Sequence, residues 1–359
     1  MATSLITEIP VFVFSSQLRE IEFTTDLDKL IISLEDGTTE IFRTTLYAYN
    51  GNVTLINIAE VIEDYMTKND LVFTAFTMYY NNADGTNIGS FNLNTLFCTH
   101  IIEAEAGVFG SYNFLTTLTA KRVPMHSTDF LSLFHGQESG PLKIHAVYEA
   151  EDGSVGNKTF TLKTITIDDI GVSAIEVKYD TIYLRLRLQA GKVSKVLSYT
   201  IEFNNRYFTY YVVDNTPNAV LTFKNCFNVY EEIYLNAVTT TKTEVNRSMA
   251  ISQGRHSFYD QSVDKTYEVE TAPMTQAEAE WVEQLFMSHS VRLGTATDPD
   301  TSLPEVLITD STCEIDDNDE KLHKVKFTWQ FVEHRPHLQT SARTDEQRIF
   351  TEPYNHTFN

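Results

Sequence analysis

The sequence predicts a mainly β protein made of two or three β-sandwich-like domains, each with at most one packed helix. Three observations point there. The chain holds 23 Phe and 18 Tyr against 2 Trp, and with abundant Thr, Val and Ile this composition suits a pleated, half-buried surface. Turn signals such as Asp36-Gly37, Asp152-Gly153 and Asn204-Asn205 recur between alternating runs. The Asp-Gly pairs fit hairpins because both central positions of a type I′ turn need positive φ. Finally, 359 residues exceed one ordinary small domain, and a hydrophobic content of 42% is ample for buried cores.

Residues 1–110 read as a β-rich domain with one helix. Ile9–Phe14 and Glu20–Phe23 are opening strands. Lys29–Glu35 places Leu30, Ile32 and Leu34 on one face, turns at Asp36-Gly37 and returns as Ile41–Tyr49. Asn57–Thr67 is helical, with Ile58, Val61, Ile62, Tyr65 and Met66 on one stripe. Leu71–Tyr80 is a further strand, ended by the turn-rich residues 81–87.

Residues 111–257 read as a β-sandwich domain. Ser111–Thr119 and Thr128–Phe134 are candidate strands. Leu142–Ala150 and Lys158–Ile167 flank Asp152-Gly153 as a hairpin. Val172–Lys178 with Thr181–Leu188, and Ser198–Phe203 with Arg206–Val213, continue as pairs. Ala219–Phe223 and Val229–Ala237 follow. Strands at this regular spacing suit a sandwich.

Residues 258–338 read as a β-sandwich/α domain, and 339–359 as an extended C-terminal arm. Tyr267–Thr271 is a strand that runs into Pro273. A capped helix then spans 275–289. The Thr275 hydroxyl can accept from the backbone N–H of Glu278, whose carboxylate can reach back to the Thr275 N–H. Trp281, Val282, Leu285 and Phe286 share one helix face. That face covers a sheet made by Ser290–Leu293, Glu305–Thr309 and Lys321–Glu333, in which Val325, Phe327, Trp329 and Phe331 alternate with polar residues. Trp281, Leu285, Phe286 and Trp329 are the expected structural core. The polar arm lacks any period, and His337, Arg343, Arg348, Phe350, Tyr354 and Phe358 in and beside it are the candidate assembly contacts.

The formal charge of −22 argues against binding a phosphate backbone or an anionic membrane surface. No stretch approaches a membrane span, and the N-terminus lacks a basic n-region, so synthesis in a cytosol is expected. Cys98, Cys226 and Cys313 lie far apart with no C-x-x-C, which points to reduced thiols rather than zinc or disulfides. No H-E-x-x-H, G-x-S-x-G, Walker A or G-x-G-x-x-G is present. His334 and His337 have H-x-x-H spacing, but no third ligand is placed beside them. Asp316, Asn318 and Glu320 follow the first half of a calcium loop without its glycine or its terminal glutamate. No carboxylate pair stands out for glycoside hydrolysis. The expectation is therefore no catalytic residue, no metal and no cofactor. In Arg206–Val213, Tyr207 and Tyr211 share one face, and Phe208, Tyr210 and Val212 share the other. An exposed tyrosine row can stack on sugar rings, and the plainer reading is a central strand covered on both sides. Tyr79 and Tyr80 beside Asn81-Asn82 form a weaker version.

The run Phe223-Lys-Asn-Cys-Phe-Asn-Val-Tyr-Glu231 resembles segments of virion proteins of tailed bacteriophages and of prophages of gut Bacteroidetes. So do Tyr267-Glu-Val-Glu with the Trp281 helix, Val306-Leu-Ile-Thr-Asp310, and Val325-Lys-Phe-Thr-Trp-Gln-Phe331. This resemblance covers the last third of the chain. It implies a non-enzymatic tail-hub, baseplate or distal-tail ring protein. Such a protein would be assembled in the host cytoplasm and located in the virion, with copies of itself and other virion proteins as partners and with DNA passing nearby. The alternative expectation is a carbohydrate-binding or adhesin β-sandwich protein.

Overall fold

The computed structural model describes residues 3–252, 255–294, 303–313 and 322–333. Its N-terminal unit pairs a small sheet with a larger one. Strands β1 (Ser4–Leu5), β3 (Glu20–Thr24) and β6 (Asn52–Ile56) form a three-stranded sheet in the order β1-β3-β6. Strands β2 (Val13–Phe14), β4 (Lys29–Asp36), β5 (Thr39–Tyr47), β7 (Phe73–Asn81) and β8 (Asn87–Leu96) form a five-stranded sheet in the order β2-β8-β7-β4-β5. A hairpin does form at Asp36-Gly37, but Asp36 is already paired with Thr39 and only Gly37 takes positive φ, at 59°, so the turn is not the type I′ expected, which needs positive φ at both central residues. Helix α1 (Ile58–Lys68) buries Ile58, Ile62 and Met66, four residues apart, against these sheets.

The rest of the described chain shares one core that runs from Phe114 to Trp329. Three sheets enclose it. The first is five-stranded, in the order β12-β11-β14-β15-β9, built from β9 (Ala120–Pro124), β11 (Glu138–Ala150), β12 (Val155–Ile167), β14 (Val193–Phe203) and β15 (Arg206–Val213). The second pairs β10 (Thr128–His135) with β13 (Gly171–Lys178). The third is seven-stranded, in the order β17-β16-β20-β21-β22-β19-β18. It comprises β16 (Ala219–Lys224), β17 (Tyr230–Leu235), β18 (Ala237–Ser252), β19 (Arg255–Thr271), β20 (Val291–Leu293), β21 (Glu305–Cys313) and β22 (Val325–Phe331). This sheet draws strands from both sides of residue 258, where the sequence places a domain boundary. That position lies inside β19, which is paired along its length with β18.

Of the segments read as strands, Ile9–Phe14 is strand only at Val13–Phe14, and two others are not strands at all. Thr181–Leu188 is not a strand but part of helix α3 (Tyr179–Ala190). Its Ile-Tyr-Leu-Arg-Leu-Arg-Leu alternation reads as period two, but Leu and Arg are good helix formers. The helix buries Tyr179, Ile182 and Leu186, leaves Leu184 and Leu188 exposed, and stops at Gly191 with φ 83°. Ser111–Thr119 is not a strand either. It holds the end of helix α2 (Ala106–Tyr112) and then irregular chain. Asn225, not a strand partner, ties that chain down through its side-chain amide to the Leu115 carbonyl at 2.8 Å.

The N-terminal unit joins the larger body at the β16–β17 turn. Asn225 accepts from the backbone N–H of Phe227 at 2.9 Å, which folds the turn on itself. Asn228 has φ 61° and donates to the Leu71 carbonyl at 2.9 Å. Lys224, buried, forms an ion pair with Asp70. Phe14, Phe109 and Phe227 pack edge-on and tilted into one aromatic group, beside the buried Cys98 and Cys226.

Candidate functional site

Two features of the seven-stranded sheet stand apart: a polar group buried beneath helix α4 (Gln276–Met287) and an arm that leaves the sheet's edge. The helix begins as its sequence dictates. Thr275 accepts from the Glu278 N–H at 3.4 Å, and Glu278 accepts from the Thr275 N–H at 3.0 Å. Trp281 and Leu285 are buried, Phe286 is half-buried with its ring 5.8 Å from that of Phe327, and Trp329 is buried and stacked on Tyr267 at 4.1 Å. Trp281 donates its indole N–H to Glu231, and Asn225 donates to the other Glu231 oxygen at 2.5 Å. Nearby, Lys121 pairs with Asp129 at 2.7 Å, both fully buried, and its ammonium lies 5.5 Å from the centre of the Trp281 ring.

These groups are engaged with one another. The space beside Asp129 and Glu231 is about 10 Å³, too small for a substrate. Their evident work is to fix how β9, β10, β17 and α4 meet, since buried hydrogen bonds and an ion pair between these elements admit few alternative packings, even with one Asp129 oxygen unpartnered among the described residues. Sequence reading found Trp281 but not its partner. Nothing in Tyr-Glu-Glu-Ile marks Glu231 as buried.

Burial pushes the Glu231 carboxyl above its ordinary value of 4.5, and Lys121, Asn225, Thr116 and Trp281 pull against it without cancelling it. The folded state therefore holds a proton that the unfolded chain has released. Its stabilising contribution is fully present below pH 4.5 and is lost as pH rises through the folded pKa. Urea midpoints at pH of about 4.5 and about 8 should show wild type losing ground to Glu231→Gln at the higher pH. A pH-independent difference between the two would refute this assignment.

The arm is the hairpin of β18 and β19. Strand β22 pairs with β19 at Tyr267–Glu270, and β18 is the outermost strand of the sheet. Beyond that base, Thr243–Ser252 and Arg255–Lys265 pair with each other, which extends the hairpin roughly 30 Å outward at the usual rise per residue. Val245, Met249 and Ile251 alternate onto one face of β18, and Phe258 lies opposite Met249. Met249, Ile251 and Phe258 are 62%, 69% and 59% exposed. A long unpaired edge carrying apolar side chains is a template for pairing with another chain. A lone two-stranded ribbon is also only marginally stable in water. Sequence reading missed β18, because Ala237–Ser252 is mostly polar and shows little hydrophobic alternation. Its Thr239-Thr240-Thr241 run and the Gly254 that follows were the available signals.

Tyr207 and Tyr211 are exposed on β15, while Phe208 and Tyr210 on its other face are buried. The strand is therefore covered on one side, not both. Tyr79 and Tyr80 are half-buried within β7. The candidate assembly contacts His337, Arg343, Arg348, Phe350, Tyr354 and Phe358 lie outside the described residues, as do His334 and Asp316–Glu320. Among the described residues no cluster of three potential metal ligands occurs, and no helix is long and apolar enough to cross a membrane. No family model matches the sequence, and no curated protein matches it significantly.

Proposed function

We propose that this protein is a structural component of a bacteriophage tail, of the tail-hub, baseplate or distal-tail ring type. It acts by binding copies of itself and adjacent virion proteins. The observation that carries the reading is the β18–β19 arm. A hairpin that projects from the sheet with an edge that no other strand pairs among the described residues, and with Met249, Ile251 and Phe258 exposed, gains its stability from a neighbour. A second copy can supply a strand to that edge and an apolar surface to that tip. The resemblance of the last third of the chain to virion proteins supports the same reading. So does the charge of −22, since a ring around a DNA channel releases the genome more readily when its surface is acidic.

The test is oligomeric state. The native protein should run as a closed oligomer in size-exclusion chromatography with light scattering. A variant joining Lys242 to Thr266 through Asn-Gly removes the arm and retains the base, where these two residues already face each other. That variant should run as a monomer with an intact fold. A native protein that stays monomeric at every concentration, and never enters a particle, would sink the proposal.

A further inference from the structure

We propose that the outer face of the β12-β11-β14-β15-β9 sheet binds a neutral oligosaccharide. Tyr207 and Tyr211 stand on this face at 58% and 52% exposure, four residues apart on one strand and hence roughly 13 Å apart. The rings of the same strand's other face, Phe208 and Tyr210, fill the core, so the backbone that carries the two tyrosines is held rigid. Between them, Thr209 bonds Thr200 of β14 at 2.9 Å.

Polar groups flank each ring. Opposite Tyr207 on β14 is Glu202, which accepts from Lys143 at 2.8 Å and from His145 at 2.6 Å. His145 reaches Thr159 of β12 through its other nitrogen at 2.9 Å. The two donors hold Glu202 below the usual carboxylate range, so it stays an acceptor. Beside Tyr211 are Ser198 of β14 and Arg122 of β9. Arg122 grips Glu278 with two bonds of 2.7 and 2.8 Å.

This mosaic selects among ligand classes. The two charged pairs balance, and their cations are committed to carboxylates. A polyanion meets here cations already paired with carboxylates among the described residues, and a chain of net charge −22. A protein interface core needs contiguous apolar surface, and this face offers isolated rings among hydroxyls. A sugar chain presents apolar C–H faces to stack on the tyrosines and a fringe of hydroxyls for the alternating donors and acceptors. The tyrosine spacing suits a trisaccharide or longer chain.

The full-length protein should be applied to an array of neutral glucan, mannan, galactan and chitin oligosaccharides, and the retained sugar then titrated by calorimetry. At least one oligosaccharide should bind. Tyr207→Ala and Tyr211→Ala should each weaken it about tenfold or more, and Tyr207→Phe should retain it within about twofold. Both positions are exposed, so circular dichroism should show an unchanged fold. Failure of every oligosaccharide to bind, or unchanged affinity in the double alanine variant, overturns the proposal. A change in oligomeric mass in that variant, without any effect on sugar, identifies the face as a subunit contact and also overturns it.

Discussion

Replacing Trp281 with alanine should lower the unfolding free energy by about 4 kcal/mol, read from denaturant midpoints. The side chain is the anchor of α4. Its ring packs on Phe223 with centroids 5.6 Å apart, and the Lys121 ammonium sits over it. Truncation removes that burial and opens space next to an existing cavity of about 110 Å³ that Trp281 already lines. It also takes the indole N–H from Glu231, a buried carboxyl that keeps Asn225 and Thr116 as side-chain donors. Trp281→Phe separates the two contributions. It retains most of the packing and loses the hydrogen bond, so it should cost about 1–2 kcal/mol. A loss below about 1 kcal/mol for Trp281→Ala would show that the helix is held by something else.

Arg206→Ala should destabilise by a similar amount, about 3–5 kcal/mol. Arg206 begins β15 and is almost fully buried. Its Nε donates to the Gly110 carbonyl at 2.6 Å, and Nη2 donates to the Phe134 carbonyl at 3.0 Å. Nη1 donates to Glu138 at 3.1 Å. One guanidinium thus ties the end of α2, the end of β10 and the start of β11 to the first residue of β15. Alanine takes the guanidinium donor from two buried carbonyls and leaves the Glu138 carboxylate with only the Asn204 amide, at 2.6 Å, as a side-chain donor among the described residues. Lysine should recover little, because an ammonium cannot span three directions as a planar fork does. Calorimetric melting of Arg206→Ala, Arg206→Lys and wild type tests the ranking. A lysine variant as stable as wild type would show that only the charge matters.

Local rules explain the elements that could be read in advance. Asp36-Gly37, Asp152-Gly153 and Asn204-Asn205 each close a hairpin, with positive φ at Gly37, Gly153 and Asn204. The preference for positive φ is a property of one or two residues and survives any context. The Thr275–Glu278 box starts α4 for the same reason. Its two hydrogen bonds lie within four residues. The alternation of Val325, Phe327 and Trp329 places all three inside. Period two fails at Thr181–Leu188, where Leu and Arg fit either a strand or a helix. The choice fell to the packing of Tyr179, Ile182 and Leu186.

By itself, then, the sequence determined the β class, the hairpin turns and the capped helix, because each depends on neighbours along the chain. Tertiary structure alone decided the rest. It set β16–β18 and β19–β22 in one sheet, since strand pairing joins residues far apart in sequence. It buried Glu231 beneath Trp281 and left one face of β15 open, which made Tyr207 and Tyr211 a surface instead of a core. And it extended Thr243–Ser252 and Arg255–Lys265 as an arm beyond the sheet, where no internal partner covers its edge among the described residues. Burial and exposure are properties of what folds back onto a segment, and a polar, weakly alternating stretch holds no record of that in its own residues.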